Sequence, residues 1–141
     1  MKQKLNCILV IDDDEPTTFF TQMMLEESGC TNHIQIAHGG QEALTYLIKS
    51  EAGNNTDCPV PDLIFLDINM PAMDGWEFLE EYKKLHTSHK VNVIMLTTSL
   101  FPEDKLKAAE IPEISGFEHK PITPEKIVSL VKNIFTEPAT H

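Results

Sequence analysis

Short runs of β-branched and apolar residues alternate five times with stretches whose apolar residues return at helical spacing. That alternation admits few folds. Strand and helix in strict turn are the pattern of βα units wound around a parallel sheet. The predicted strands cover residues 6–11, 33–37, 63–66, 91–96 and 116–119. Two runs, Cys7-Ile8-Leu9-Val10-Ile11 and Leu63-Ile64-Phe65-Leu66, are apolar at every position. Strands of that kind are covered on both faces, so they belong in the middle of the sheet.

Five helices fill the gaps. Phe19, Phe20, Met23 and Met24 mark the first, with both methionines expected as fillers in the core. Ala43, Leu44, Leu47 and Ile48 mark the second, and Trp76, Leu79, Tyr82 and Leu85 the third. Trp76 is expected to be partly buried. Thr123 reads as the N-cap of a fifth helix, with Pro124 in its first turn and Ile127, Leu130, Val131 and Ile134 as its apolar face. The fourth has the thinnest pattern: Pro102 opens it, Leu106 and Ala109 give a narrow stripe, and Pro112 stops it near Glu110. Residues 51–61, with Gly53-Asn54-Asn55 and two prolines, form a loop.

At 141 residues the chain holds one core, so the expected organisation is a single domain over residues 1–141, with a core at about 5–135 and a short tail at 136–141. Its 22 acidic residues against 11 basic ones give a formal charge of −11, which repels nucleic acid and anionic membranes. No arginine occurs, so planar two-point recognition of phosphate by a guanidinium is unavailable. Cys7, Cys30 and Cys58 are an odd set at wide spacings and read as reduced, buried residues. No apolar run approaches the roughly 18 residues of a membrane span, and no secretion signal fits the first residues. A cytoplasmic protein is expected.

In an open parallel sheet, functional groups collect at the carboxyl ends of the strands. The first strand ends in Asp12-Asp13-Asp14, the third in Asp67, the fourth in Thr97-Thr98 and the fifth in Lys120-Pro121. Each signal alone has a plain explanation. The Asp run fits a helix cap, Asp67 a turn, the threonines β-propensity and Lys120 an ordinary surface. Together they place three carboxylates, a hydroxyl and an ammonium on one sheet edge. Crowded carboxylates repel by several kcal/mol per close pair at intermediate dielectric, so a cation is needed to keep them ionised. Oxygen-only ligands select a hard metal, and Mg2+ leaves a position for a phosphoryl oxygen. Asp67, held between metal and Lys120, is then a competent nucleophile toward a reactive phosphoryl donor.

The segments Leu9-Val10-Ile11-Asp12-Asp13, Leu66-Asp67 through Asp74-Gly75, Met95-Leu96-Thr97-Thr98 and Phe117-Glu118-His119-Lys120-Pro121 closely resemble the receiver domain of bacterial response regulators. The resemblance implies a flavodoxin-like doubly wound fold, a five-stranded parallel sheet of order 2-1-3-4-5 with five helices. It implies Asp67 as phosphoacceptor, Asp13 as direct Mg2+ ligand, Asp12 assisting through water, and the backbone carbonyl of Asn69 completing the protein ligands. Lys120 would bridge to Asp67 or its phosphoryl group. Thr97 and Phe117 would form a conformational switch, and Thr98 would control access to the acyl phosphate. The implied partners are a histidine kinase or histidine phosphotransfer protein and a downstream protein target, with no nucleic acid and no membrane. The stretch Ile111-Pro112-Glu113-Ile114-Ser115-Gly116 departs from the family's small turn before the fifth strand.

Two other classes compete. A haloacid-dehalogenase-type phosphatase also carries Asp-x-Asp after its first strand, but there the pattern continues differently from Glu15-Pro16, and the chain has no room for a cap domain. A binding module that keeps the fold without phosphoryl transfer is the other. The first would be phosphorylated on Asp12, a receiver on Asp67. His86, His89 and the other four histidines show no ligand spacing.

Overall fold

The computed structural model of the chain describes residues 4–52, 58–85, 91–98 and 101–135. The expected turn at Gly53-Asn54-Asn55, His86, His89 and the tail lie outside the described residues. Strands β1 (Ile8–Ile11), β2 (Ile34–Ala37), β3 (Leu63–Leu66), β4 (Asn92–Thr97) and β5 (Ile114–His119) alternate with helices α1 (Glu15–Ser28), α2 (Gly40–Glu51), α3 (Gly75–Lys83), α4 (Pro102–Ala109) and α5 (Pro124–Phe135). All pairings are parallel, in the order β2-β1-β3-β4-β5. The order reverses at β1, so the crevice beside β1 and β3 is the topological switch point of the sheet.

The period of two along each strand divides the interior into two cores. Leu9, Ile11, Ile64, Leu66, Val93 and Met95 face α2, α3 and the buried Ala108 of α4. Ile8, Val10, Leu63, Phe65, Ile94 and Leu96 face Leu25 of α1 and Ile127 and Val131 of α5. The continuous apolar runs of β1 and β3 are thus buried on both sides. Thr123 caps α5 as expected, its hydroxyl accepting the Lys126 N–H at 3.2 Å.

Three helical faces differ from the sequence reading. In α1 the inward residues are Thr18, Thr21 and Leu25, while Phe19, Phe20 and Met23 are exposed by 66%, 40% and 43%. Thr18 Oγ1 donates to the Glu15 carbonyl at 2.9 Å, so its polar atom is satisfied within the helix and its methyl is free to pack. Met24 keeps its core role, packed against the second core; Met23 does not. In α2, Ile48 faces outward, and Tyr46 packs inward with its hydroxyl donating to the Pro59 carbonyl at 2.6 Å. In α4 the expected stripe of Leu106 and Ala109 is exposed, and Ala108 with the half-buried Ile111 makes the contact. The helix does stop where Pro112 predicts.

β5 starts earlier than expected, at Ile114. Val93 pairs with Ile114 and Ile94 with Gly116, which leaves Ser115 as an extra residue in the ladder. Its hydroxyl donates to Asn92 Oδ1 at 2.8 Å. The unusual stretch before Gly116 is therefore a bulged strand start. Cys7 and Cys30 are buried and Cys58 half-buried, all as free thiols. No helix among the described residues is long and apolar enough to cross a membrane.

Candidate functional site

Backbone hydrogen bonds carry the ladder one residue past the strand ends. The Asp12 N–H donates to the Ala37 carbonyl at 3.1 Å, the Asp67 N–H to Ile11 at 3.0 Å and the Lys120 N–H to Thr97 at 2.8 Å. Three residues expected at the site are thus fixed by the sheet itself. Asp12 and Asp67 are 3% and 7% exposed, Thr97 is fully buried, and Asp13 lies at the open rim. Carboxylate oxygens of Asp12, Asp13 and Asp67 all come within 4.8 Å of one another. Lys120 Nζ pairs with Asp12 Oδ2 and stands 3.3 Å from Asp67 Oδ1.

Asp14 is put to a different use. Its carboxylate accepts the Thr17 N–H at 3.0 Å and the Thr17 hydroxyl, capping α1. These bonds hold its carboxyl below the usual range. Asp12 Oδ1 in turn accepts the Asp14 N–H at 3.0 Å. The three-aspartate run therefore splits: Asp12 and Asp13 go to the cluster and Asp14 to the helix.

Burial pushes the Asp67 carboxyl up to about 6 from 3.8; Lys120 opposes this, and Asp12 and Asp13 add to it. One ammonium does not balance three carboxylates. A hard divalent cation set among these oxygens supplies the missing charge, and an all-oxygen donor set of this size suits Mg2+. Asn69 and Thr98 are exposed beside the cluster in sequence, and Phe117 is half-buried on β5 against the first core. Phe117 also meets His119 edge-on, with ring centroids 5.8 Å apart.

The loop from Asp67 to α3 is tightly built. Gly75 donates its N–H to the Ile68 carbonyl at 2.8 Å, and a Cβ at Gly75 would lie 2.6 Å from the Asp67 carbonyl oxygen. Only glycine permits that approach. Asp74 caps α3 through a capping box with Glu77. Ala72 sits at φ 68, with the Met73 N–H donating to Pro71 at 2.7 Å across it. Neither the left-handed Ala72 nor the contact of Trp76 with Lys107 of α4 was visible in the sequence, since neither residue type signals them.

The family model of the response regulator receiver domain matches residues 8–132. This chain belongs to that family. Receiver domains serve two-component systems as signalling modules and are not turnover enzymes. Response regulator Rcp1 from Synechocystis sp. is 31% identical over 104 residues, covering 74% of this chain and 69% of that protein. The two component response regulator from Cytophaga hutchinsonii superposes with a TM-score of 0.84 at 28% identity, covering 96% of this chain and all of that one. The phosphorylated cyanobacterial phytochrome response regulator RcpA superposes with a TM-score of 0.69 at 28% identity, covering 92% and 90% of the two chains. Receiver domains bind Mg2+ at an acidic pocket, and this chain has an acidic cluster of Asp12, Asp13 and Asp67.

Proposed function

We propose that this receiver works in the cytoplasm and takes a phosphoryl group onto Asp67 from a histidine kinase or histidine phosphotransfer protein. The observation that carries the reading is the meeting of three carboxylates and Lys120 on one sheet edge. An Asp67 oxygen attacks phosphorus, a P–O bond forms as the P–N bond of the donor breaks, and the imidazole leaves with the electron pair. Asp12, Asp13, Asp67 and the Asn69 carbonyl would hold Mg2+, which would supply positive charge against the transferring group. Lys120 stays within reach of Asp67 Oδ1 and takes up charge on the other side. Thr97 turns its hydroxyl to a phosphoryl oxygen, Phe117 follows inward, and Thr98 limits access to the acyl phosphate. The signal then leaves through the face of α4, β5 and α5 to a protein target; the charge of −11 disfavours nucleic acid and anionic membranes as partners.

The commitment of Asp14 to capping α1 speaks against the phosphatase alternative, which needs that carboxylate free for chemistry. The test is incubation with a small acyl-phosphate donor and Mg2+, followed by intact mass and peptide mapping. Wild type should gain one acid-labile phosphate on Asp67 and Asp67→Asn none. Label on Asp12 would favour the phosphatase, and no label despite bound Mg2+ the binding module.

A further inference from the structure

α4 has little apolar grip on the domain. Among its residues it buries only Ala108, and its flanking Phe101 and its Leu106 are exposed by 70% and 67%. Between α4 and α3 lies a cavity of about 150 Å3 bordered by Trp76, Leu79, Lys83, Lys107 and Ile111. The helices are therefore not close-packed here. Across this gap the ammonium of Lys107 stands over the Trp76 ring, 4.6 Å from its centroid.

Trp76 sits on the other side of this gap. It is half-buried against the first core, and it directly follows Gly75, whose N–H donates to the Ile68 carbonyl and which lies close beside the Asp67 carbonyl. Lys107 lies on the helix that follows β4, the strand ending in Thr97. The two residues thus join the loop bearing Asp67 to the least anchored helix of the domain.

We propose that Trp76 and Lys107 form a clasp that holds α4 in its resting position and ties that position to the phosphoacceptor loop. The link to the loop rests on the reading of Asp67 as acceptor; the clasp itself does not. A cation facing an aromatic ring at an exposed site shifts an equilibrium by about two- to five-fold, which is enough to bias a helix this lightly packed.

Amide hydrogen exchange on the unphosphorylated protein tests it. Lys107→Met keeps the stem and removes the charge, so exchange across residues 102–110 should quicken by about two- to five-fold while α5 stays unchanged. Lys107→Arg keeps a cation and should hold the wild-type rate. Fluorescence of Trp76, the one tryptophan of the chain, should become equally more quenchable by acrylamide in Lys107→Met only. Unchanged α4 exchange in Lys107→Met, or equal acceleration in Lys107→Arg, would overturn the clasp. Acyl-phosphate labelling of the same variants keeps the two ideas apart: label on Asp67 with unchanged exchange removes the clasp alone, and the expected exchange without label removes the acceptor reading alone.

Discussion

Replacing Asp67 by Asn should stabilise the metal-free protein at pH 7, although it removes the proposed nucleophile. The Asp67 carboxyl is held at about 6 in the folded chain against 3.8 in the ordinary case. At about 1.36 kcal/mol per pH unit, its ionisation costs the folded state about 3 kcal/mol. The sign follows from proton counting. Between about 4 and 6 the unfolded chain has lost this proton and the folded chain has kept it, so stability falls as pH rises through that window and levels off above it. The neutral amide of Asp67→Asn carries no such penalty but loses the carboxylate that faces Lys120, so a gain of about 1–3 kcal/mol is expected at pH 7. For a domain of this size that is roughly 3–10 °C in melting temperature. Calorimetric melts of both proteins in EDTA from pH 4 to pH 8 read it directly, and the gap should close near pH 4. Mg2+ should close it from the other side, because an ion at 100 times its Kd stabilises wild type by about 2.7 kcal/mol and loses a ligand in the variant. A variant less stable than wild type at pH 7 in EDTA would refute the electrostatic reasoning, as would a gap that persists at pH 4.

Asp13→Ala should weaken Mg2+ binding at least tenfold with little loss of stability, whereas Asp14→Ala should cost about 1 kcal/mol of stability through the lost α1 cap and leave Mg2+ binding nearly intact; calorimetric titration and urea melts separate them. Gly75→Ala should cost about 1–3 kcal/mol and weaken Mg2+ binding as well, since relief of the 2.6 Å approach to the Asp67 carbonyl moves the site loop; wild-type affinity in that variant would show the loop to be slack. Ala72→Gly should be neutral or stabilising by up to about 1 kcal/mol because the φ of 68 favours glycine, and Ala72→Val should destabilise by about 1 kcal/mol or more; urea melts of the two variants read both.

The parts of this fold that were legible in the sequence are those that short-range rules govern. β3 falls on the predicted residues, because an unbroken apolar run between turn signals has one reading in a βα chain. β1 is shorter at its start than its sequence suggests: Asn6 gives its N–H to the Asp62 carboxylate at 2.6 Å and is not in the ladder. The helical faces fared worse. The inward face of α1 is written in Thr18, Thr21 and Leu25, and a hydrophobic count passes over threonine even where its hydroxyl is satisfied locally. Ser115 broke the period of two in β5, which hid two residues of strand. Each of these was settled by partners remote in sequence.

The cluster itself was legible for a simpler reason. Asp12, Asp67 and Lys120 each follow a strand end, and the ladder that aligns Ile11 with Leu66 and Thr97 with His119 carries them to one edge whatever the helices do. What the sequence left open was the charge balance, which the geometry makes acute. Among the described residues, Lys120 is the ammonium set against Asp12 and Asp67, and it is engaged by both. With no arginine anywhere in the chain, there is no guanidinium to receive an incoming phosphoryl group. Burial, more than the neighbouring aspartates, raises Asp67, and the site as built has too little positive charge to accept more. If Asp67 is the acceptor as proposed, an acidic pocket with a single lysine needs a divalent cation in place first, so Mg2+ should bind before the donor and independently of it.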